Sequence, residues 1–359
     1  MSVLESGGWW LVAGGWWLGS GVSRRRPGVG GRGSGVGVRR PGVGGRGSGR
    51  ALGVVAALAF AACGGDGGSA NGQMVPVAGA PEFPADSAFE LLRRQVEFGP
   101  RVPGSEGHAA QLAWMTEFLR ERADTLLLQP FTHSTAAGET LELTNLFARF
   151  RPDDGTRILV LAHWDTRPRA DLEGTPEDRA TPIPGANDGG SGTAVLLQLA
   201  DVLARHPPPI GVDILLVDGE DWGPGSQDMY LGAKYFAANR PPGYRPLYGV
   251  LVDLVGDRNP VYPIEGNSQQ YAPEVVDRVW RMAERLGHGA RFPRRSGIPI
   301  TDDHIPLNHA GIRTINIIDF DYGPGNRYWH TLEDDLDQVA PTGLGVVGEV
   351  LVALIWNGG

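Results

Sequence analysis

The chain has 359 residues, 41% of them apolar and 20% charged, enough for one large domain or two small ones with a full core. Residues 1–50 carry eight arginines against Glu5 alone, whereas 51–359 hold the other 24 of the 32 basic residues and 40 of the 41 acids. A body that acidic argues against a nucleic-acid binder, because phosphate contact needs a basic face. The single cysteine, Cys63, excludes intrachain disulfides and thiolate zinc sites, so any metal must be held by histidines and carboxylates.

Residues 1–50 read as a low-complexity leader. The string RRPGVGGRGSG occurs at 25–35 and again at 39–49, and such Gly/Arg-rich sequence buries too little surface to offset its chain entropy. The apolar run 51–62, preceded by Arg39, Arg40, Arg46 and Arg50, has the form of a signal peptide and is too short to span a bilayer. It ends Ala61-Ala62-Cys63, which resembles a bacterial lipoprotein box with Phe60 where Leu is usual. The expectation is an exported cell-envelope or periplasmic protein, anchored to the membrane only through lipidated Cys63. Residues 63–82 then form a flexible tether, and 83–359 a single catalytic domain.

Helical spacing runs over Asp86–Phe98 and stops at Gly99-Pro100. Ser105 is a candidate cap for a second helix through Arg122. Strand-like apolar runs follow at Thr125–Leu128, Leu141–Phe150, Ile158–Ala162, Val212–Val217, Tyr248–Leu254 and Thr314–Ile318. Helix patterns fall at Ser191–Arg205, Met229–Asn239, Pro273–Leu286 and Thr342–Ile355. Short continuous apolar strands alternating with helices predict an α/β three-layer sandwich: a mostly parallel mixed central sheet with helices on both faces.

In such sheets ligands bind beyond the carboxyl ends of the strands. His163 and Asp165 follow the third run, and Asp188 sits in the glycine-rich turn 185–192. Asp218, Glu220 and Asp221 follow the fourth run, and Asp253 comes after Val252 near the end of the fifth. Asp302-Asp303-His304 and Trp329-His330 come late in the chain. Singly, each reads as a turn or cap residue. Together they supply the imidazole and carboxylate set that zinc accepts. Adjacent Glu220 and Asp221 also suit a division of labour, one binding metal while its neighbour stays free as a base. These residues point to a metal-dependent hydrolase or transferase.

The motifs LAHWDTRP (161–168), PGANDGGSGTAVLLQLA (184–200), VDGEDWG (217–223), LVDLVG (251–256), DDHIP (302–306) and YWHT (328–331) resemble the zinc aminopeptidase-like family. That family includes two-zinc exopeptidases and the glutaminyl-peptide cyclotransferases. The resemblance implies zinc on Asp188, Asp221 and His330, with Glu220 as general acid/base. In two-zinc members His163 and Asp253 would hold a second ion, Asp188 bridging, with Asp165 beneath His163; one zinc is expected here and two are possible.

SQDMYLGAKYFA (226–237), DDHIP and Trp329 look like the cyclases, and the combination of AHWDTRP, GANDG and GED looks like the bacterial ones. Asn316 departs from the animal ones, which usually carry His there. On the cyclase reading Asp253 and Asp302 form a hydrogen-bonded carboxylate pair that holds Glu220 and the substrate amine. Trp329 walls the pocket, and His304 supports the site from behind. The substrates implied are peptides with N-terminal Gln. The alternatives are a two-zinc aminopeptidase and a non-catalytic surface lipoprotein that binds peptides or glycans. His133, His206 and His288 read as surface or loop residues.

Overall fold

Side chains along β3 (Arg157–His163) alternate between two apolar layers: Ile158, Val160 and Ala162 enter one, Leu159 and Leu161 the other. The same period of two sorts β4 (Gly211–Val217) and β5 (Gly249–Asp253), whose strands are buried on both faces. This dictates helices above and below the sheet. Residues 77–359 are described by a computed structural model; the leader, the run 51–62 and Cys63 lie outside the described residues.

The sheet has six strands in the order β1-β2-β4-β3-β5-β6, with β1 at Thr125–Ser134, β2 at Thr140–Phe150 and β6 at Thr314–Ile318. Strands β4, β3, β5 and β6 run parallel, and the β1–β2 hairpin adds antiparallel to β4. One layer is built from α1 (Ala85–Glu97), α2 (Glu106–Arg120), α4 (Gly190–Arg205), α7 (Pro273–Arg285) and α9 (Pro341–Trp356). The other comes from α5 (Leu231–Asn239) and α8 (His304–His309). Two short helices remain: α3 (Pro176–Arg179) in the loop after β3, and α6 (Gly266–Tyr271), which leads directly into α7. This is the expected three-layer α/β sandwich. Among the described residues no helix is long and apolar enough to cross a membrane.

Three details differ from expectation. Strand β1 continues to Ser134, because it is an edge strand whose polar residues face solvent while its backbone stays paired with β2. Helix α5 begins at Leu231, since Tyr230 adopts φ +59°, outside helical space. Val77, expected in the tether, is buried against the core with Phe83.

Candidate metal centre

Each site residue is delivered by the carboxyl rim of the sheet. His163 ends β3, Asp253 ends β5, and the turn Asp218–Asp221 leaves β4. Asp188 precedes α4, whose entry requires glycine: Gly189 has φ +79°, and a Cβ there would stand 2.2 Å from the carbonyl oxygen of Asp165. Gly192, one turn on, lets α4 press on the end of β5, where a Cβ would meet the Val252 carbonyl at 2.2 Å.

Two ligand sets share Asp188: Asp188, Asp221 and His330 form one, and His163, Asp188 and Asp253 the other, with the offered atoms of each within 4.8 Å. In the first, His330 Nε2 lies 3.5 Å from Asp188 Oδ2 and 3.6 Å from Asp221 Oδ1. In the second, His163 Nε2 lies 3.3 Å from Asp188 Oδ1 and 3.2 Å from Asp253 Oδ1. Zinc bonds of about 2.0–2.2 Å in tetrahedral array separate neighbouring ligands by about 3.3–3.6 Å, so the histidine–carboxylate distances of both sets suit it. Asp188 Oδ2 and Asp221 Oδ2 are buried without a hydrogen-bond partner. Unpaired buried carboxylate oxygens are costly unless a cation meets them, and the donor set is one zinc accepts.

The two imidazoles differ. Burial pushes His330 down to about 4, the Asp188 charge opposing only in part, so its ring is neutral and ready to ligate. Burial acts the same way on His163, but Asp165, Asp188 and Asp253 outweigh it and hold the ring well above its ordinary value. Its Nε2 is engaged with Asp253 Oδ1. Glu220, 7% exposed, is raised well above the carboxylate range by burial and then by Asp221, Asp302 and Asp303. A raised carboxyl group beside a metal position suits proton transfer near neutrality.

Two aspartates grip the turns that carry the ligands. Asp165 accepts the backbone N–H of Glu220 (3.0 Å) and of Asp221 (3.1 Å). Asp334 accepts those of Asn187 (2.8 Å) and Asp188 (3.1 Å), and the Tyr322 hydroxyl donates to it as well. Asp165 stands 3.7 Å from Nδ1 of His163, beyond hydrogen-bond length, so it holds the 220–221 turn more directly than the imidazole. Arg167 donates to Asp221 Oδ1 at 2.5 Å and to Asp171 at 2.6 Å, setting the orientation of the Asp221 carboxylate. Arg101, fully buried, donates to the carbonyls of Pro184 and Gly185 behind the Asp188 turn. Residues 169–172 are tied to both ligand segments, through Arg169 to the Trp222 carbonyl and Leu172 N–H to the His330 carbonyl.

The expected bond between Asp253 and Asp302 is replaced by other partners. Asp302 accepts from the Asn316 side-chain amide at 2.6 Å and from the Asp303 backbone N–H at 2.6 Å, whereas Asp253 pairs with His163. Two anions cannot bond each other without a proton, and each has found a donor instead. His304 lies 3.3 Å from Glu265 Oε2, and its charge acts on Asp302. Trp329 stacks on His330 (centroids 3.7 Å, 25°) and meets Phe320 edge-on at 4.9 Å. The roles of Arg101, Arg167 and Asp334 escaped the sequence reading. For Arg167 the signal was available, since it lies within LAHWDTRP.

An α/β sheet whose carboxyl rim gathers carboxylates and imidazoles at metal-ligand spacing is the architecture of a metal-dependent enzyme. The model of peptidase family M28 matches residues 145–355, and the chain belongs to that family. It is 35% identical to the glutaminyl cyclase of Bacteroides thetaiotaomicron, whose structure was solved with N-acetylhistamine; the match covers 77% of this chain and 99% of that one, with a TM-score of 0.75. A leucine aminopeptidase precursor from the same organism is also 35% identical, covering 77% and 98% with a TM-score of 0.75. The glutaminyl-peptide cyclotransferase of Bos taurus is 26% identical over 300 residues, 71% of this chain and 77% of its own length.

Two outcomes are expected. Asp334→Asn weakens one arm of the backbone grip, so zinc affinity should fall about 10–100-fold in chelator competition while the circular dichroism spectrum is unchanged. Unaltered affinity would remove Asp334 from the support of the site. In zinc-free protein, burial and neighbouring acids push Asp253 and Asp334 each up to about 7. The stability these groups contribute is complete below the ordinary carboxyl range and lost as pH rises through about 7. The melting temperature of chelator-treated protein should therefore fall between about pH 5 and pH 8, and zinc should flatten the fall by favouring the ionised carboxylates. A melting temperature that rises over that interval would contradict this assignment.

Proposed function

We propose that the protein is a zinc-dependent glutaminyl-peptide cyclotransferase, converting the N-terminal Gln of peptides to pyroglutamate with release of ammonia. The observation that carries this reading is the contrast between the two ligand sets: beside His330, Asp188 Oδ2 and Asp221 Oδ2 have no hydrogen-bond partner, whereas Nε2 of His163 is bonded to Asp253. That contrast favours one metal, and cyclisation needs no activated water because the nucleophile belongs to the substrate. The resemblance to solved and curated glutaminyl cyclases supports the same reading.

A zinc ion on Asp188, Asp221 and His330 would supply Lewis acidity to the side-chain carbonyl of the substrate Gln. Glu220 takes a proton from the α-amine as its nitrogen bonds to the side-chain amide carbon. It returns the proton to the departing nitrogen as the carbon–nitrogen bond breaks and ammonia leaves. Asp253 and Asp302 would hold the amine. Asn316 orients Asp302 through its 2.6 Å bond. Trp329, fixed between His330 and Phe320, presents an apolar wall that folds the Gln methylenes back toward the amine, a proximity effect.

A two-zinc aminopeptidase is the second reading, favoured by the spacing of His163, Asp188 and Asp253. There Glu220 would take a proton from water attacking the first peptide bond. Gln-amide and Leu-amide fluorogens, with metal counting by mass spectrometry, separate the two. The expected result is cyclisation of Gln with one zinc per chain; turnover of Leu alone with two zincs would overturn the cyclase reading. Glu220→Gln should lower turnover by about 10²–10⁴-fold with zinc retained. We also propose that the chain is exported and anchored through Cys63. Cys63→Ser should shift it from the membrane to the soluble fraction on cell fractionation, and continued membrane retention would refute the anchor.

A further inference from the structure

Beyond the end of β6 lies a cavity of about 450 Å³ with apolar walls formed by Val261, Pro263, Ile298, Ile300, Ile318 and Phe320. That volume is in the range that takes a small organic group, about 300–1,000 Å³. Three of its walls lead directly to the metal centre. Ile318 pairs in register with Asp253 across β5 and β6. Ile300 stands two residues before Asp302. Phe320 meets Trp329 edge-on, and Trp329 stacks on His330. The cavity therefore continues the apolar wall of the site along the same rim.

Two of its three acidic groups, Asp319 and Glu265, are occupied in building the walls. Asp319 accepts the backbone N–H of Val261 at 2.9 Å and of Asp321 at 3.2 Å. Glu265 accepts those of Asn267, Ser268 and Ile300, each within 2.7 Å. The lining holds somewhat more hydrocarbon than polar surface, with Arg295 and Asp321 among its polar members, and Ile298 at the rim is 57% exposed. An isoleucine left that open beside a concave apolar wall gains by being covered.

We propose that this cavity receives the side chain of the substrate's second residue and selects for a large apolar one. The inference rests on the cyclase reading for the first residue. With the Gln side chain directed at the metal, the next side chain leaves the backbone one residue farther along the rim, toward Ile318 and Phe320. A large apolar second residue would cover Ile298 and fill the space between Ile300, Ile318 and Phe320, and glycine would leave the cavity unfilled.

The test is kcat/KM for Gln-Phe-amide, Gln-Leu-amide, Gln-Asp-amide and Gln-Gly-amide. The expected ratio of Phe to Gly is about tenfold or more, as for filling an apolar pocket by one or more carbon groups. Ile298→Asp places a charge at the rim and should reduce that ratio to about twofold or less, on the same scale. Leu247→Asp, at a position 48% exposed beside the start of β3 on the opposite rim, should leave the ratio as it was. Equal rates across the series, or an unaltered ratio in Ile298→Asp, would overturn the proposal. The same second residues behind N-terminal Leu keep the two levels apart. Turnover of Leu peptides alone, with the same ratio and the same loss in Ile298→Asp, would overturn the cyclase reading and uphold the pocket.

Discussion

The rim of the sheet concentrates negative charge where solvent does not reach. Asp165, Asp188, Asp221, Asp302 and Asp303 are all less than 5% exposed, and Glu220 is scarcely more open. Like charges at such spacing repel strongly in a medium of low dielectric, and the protein's own cations answer only part of that repulsion. Arg167 binds Asp221 and His163 binds Asp253, yet oxygens of Asp188 and Asp221 remain unmet. A divalent ion is the economical solution, and it turns an unfavourable cluster into a centre that can polarise a carbonyl. The raised Glu220 follows from the same crowding, so acid/base capacity and metal affinity have a common origin.

Holding such a cluster requires rigid support behind it. The backbone meets this requirement with paired grips, Asp165 on the 220–221 turn and Asp334 on the 187–188 turn. Ser191 and Asn187 accept the N–H groups of Val255 and Gly256, joining the Asp188 turn to the segment after Asp253. Strain gathers here too: Tyr230, Leu254 and His330 all have φ between +49° and +59°. For non-glycine residues such conformations cost about 1–3 kcal/mol each and persist only where surrounding structure over-determines them.

What could be read in advance follows from which signals are local. Strands β3, β4 and β5 are continuous apolar runs, so their ends, and with them His163, Asp221 and Asp253, could be placed from the order of residues. Asp188 was marked by the glycines that a close helix–strand approach demands. The partner of a polar side chain, by contrast, depends on which segment arrives beside it. Asn316 and Asp302 lie 14 residues apart, and nothing local says that an amide on β6 will claim that carboxylate. Asp334 is separated by 147 residues from Asn187, and its own neighbourhood reads as an acidic loop. Helix α8 is only six residues long and contains Pro306, too brief for any periodicity to register.

The separation of Asp334 from the turn it grips bears on how the molecule comes to exist. Ligands and their supports are drawn from both ends of the domain, so the centre is a property of completed topology and of no smaller fragment. During synthesis the segments carrying Asp188 and Asp221 emerge first, and the imidazole of their set arrives only with the final stretch of polypeptide. A ribosome product cut short before residue 330 would keep His163, Asp188 and Asp253 yet lack both His330 and the Asp334 grip, so the first ligand set is completed only by the last part of the chain to fold.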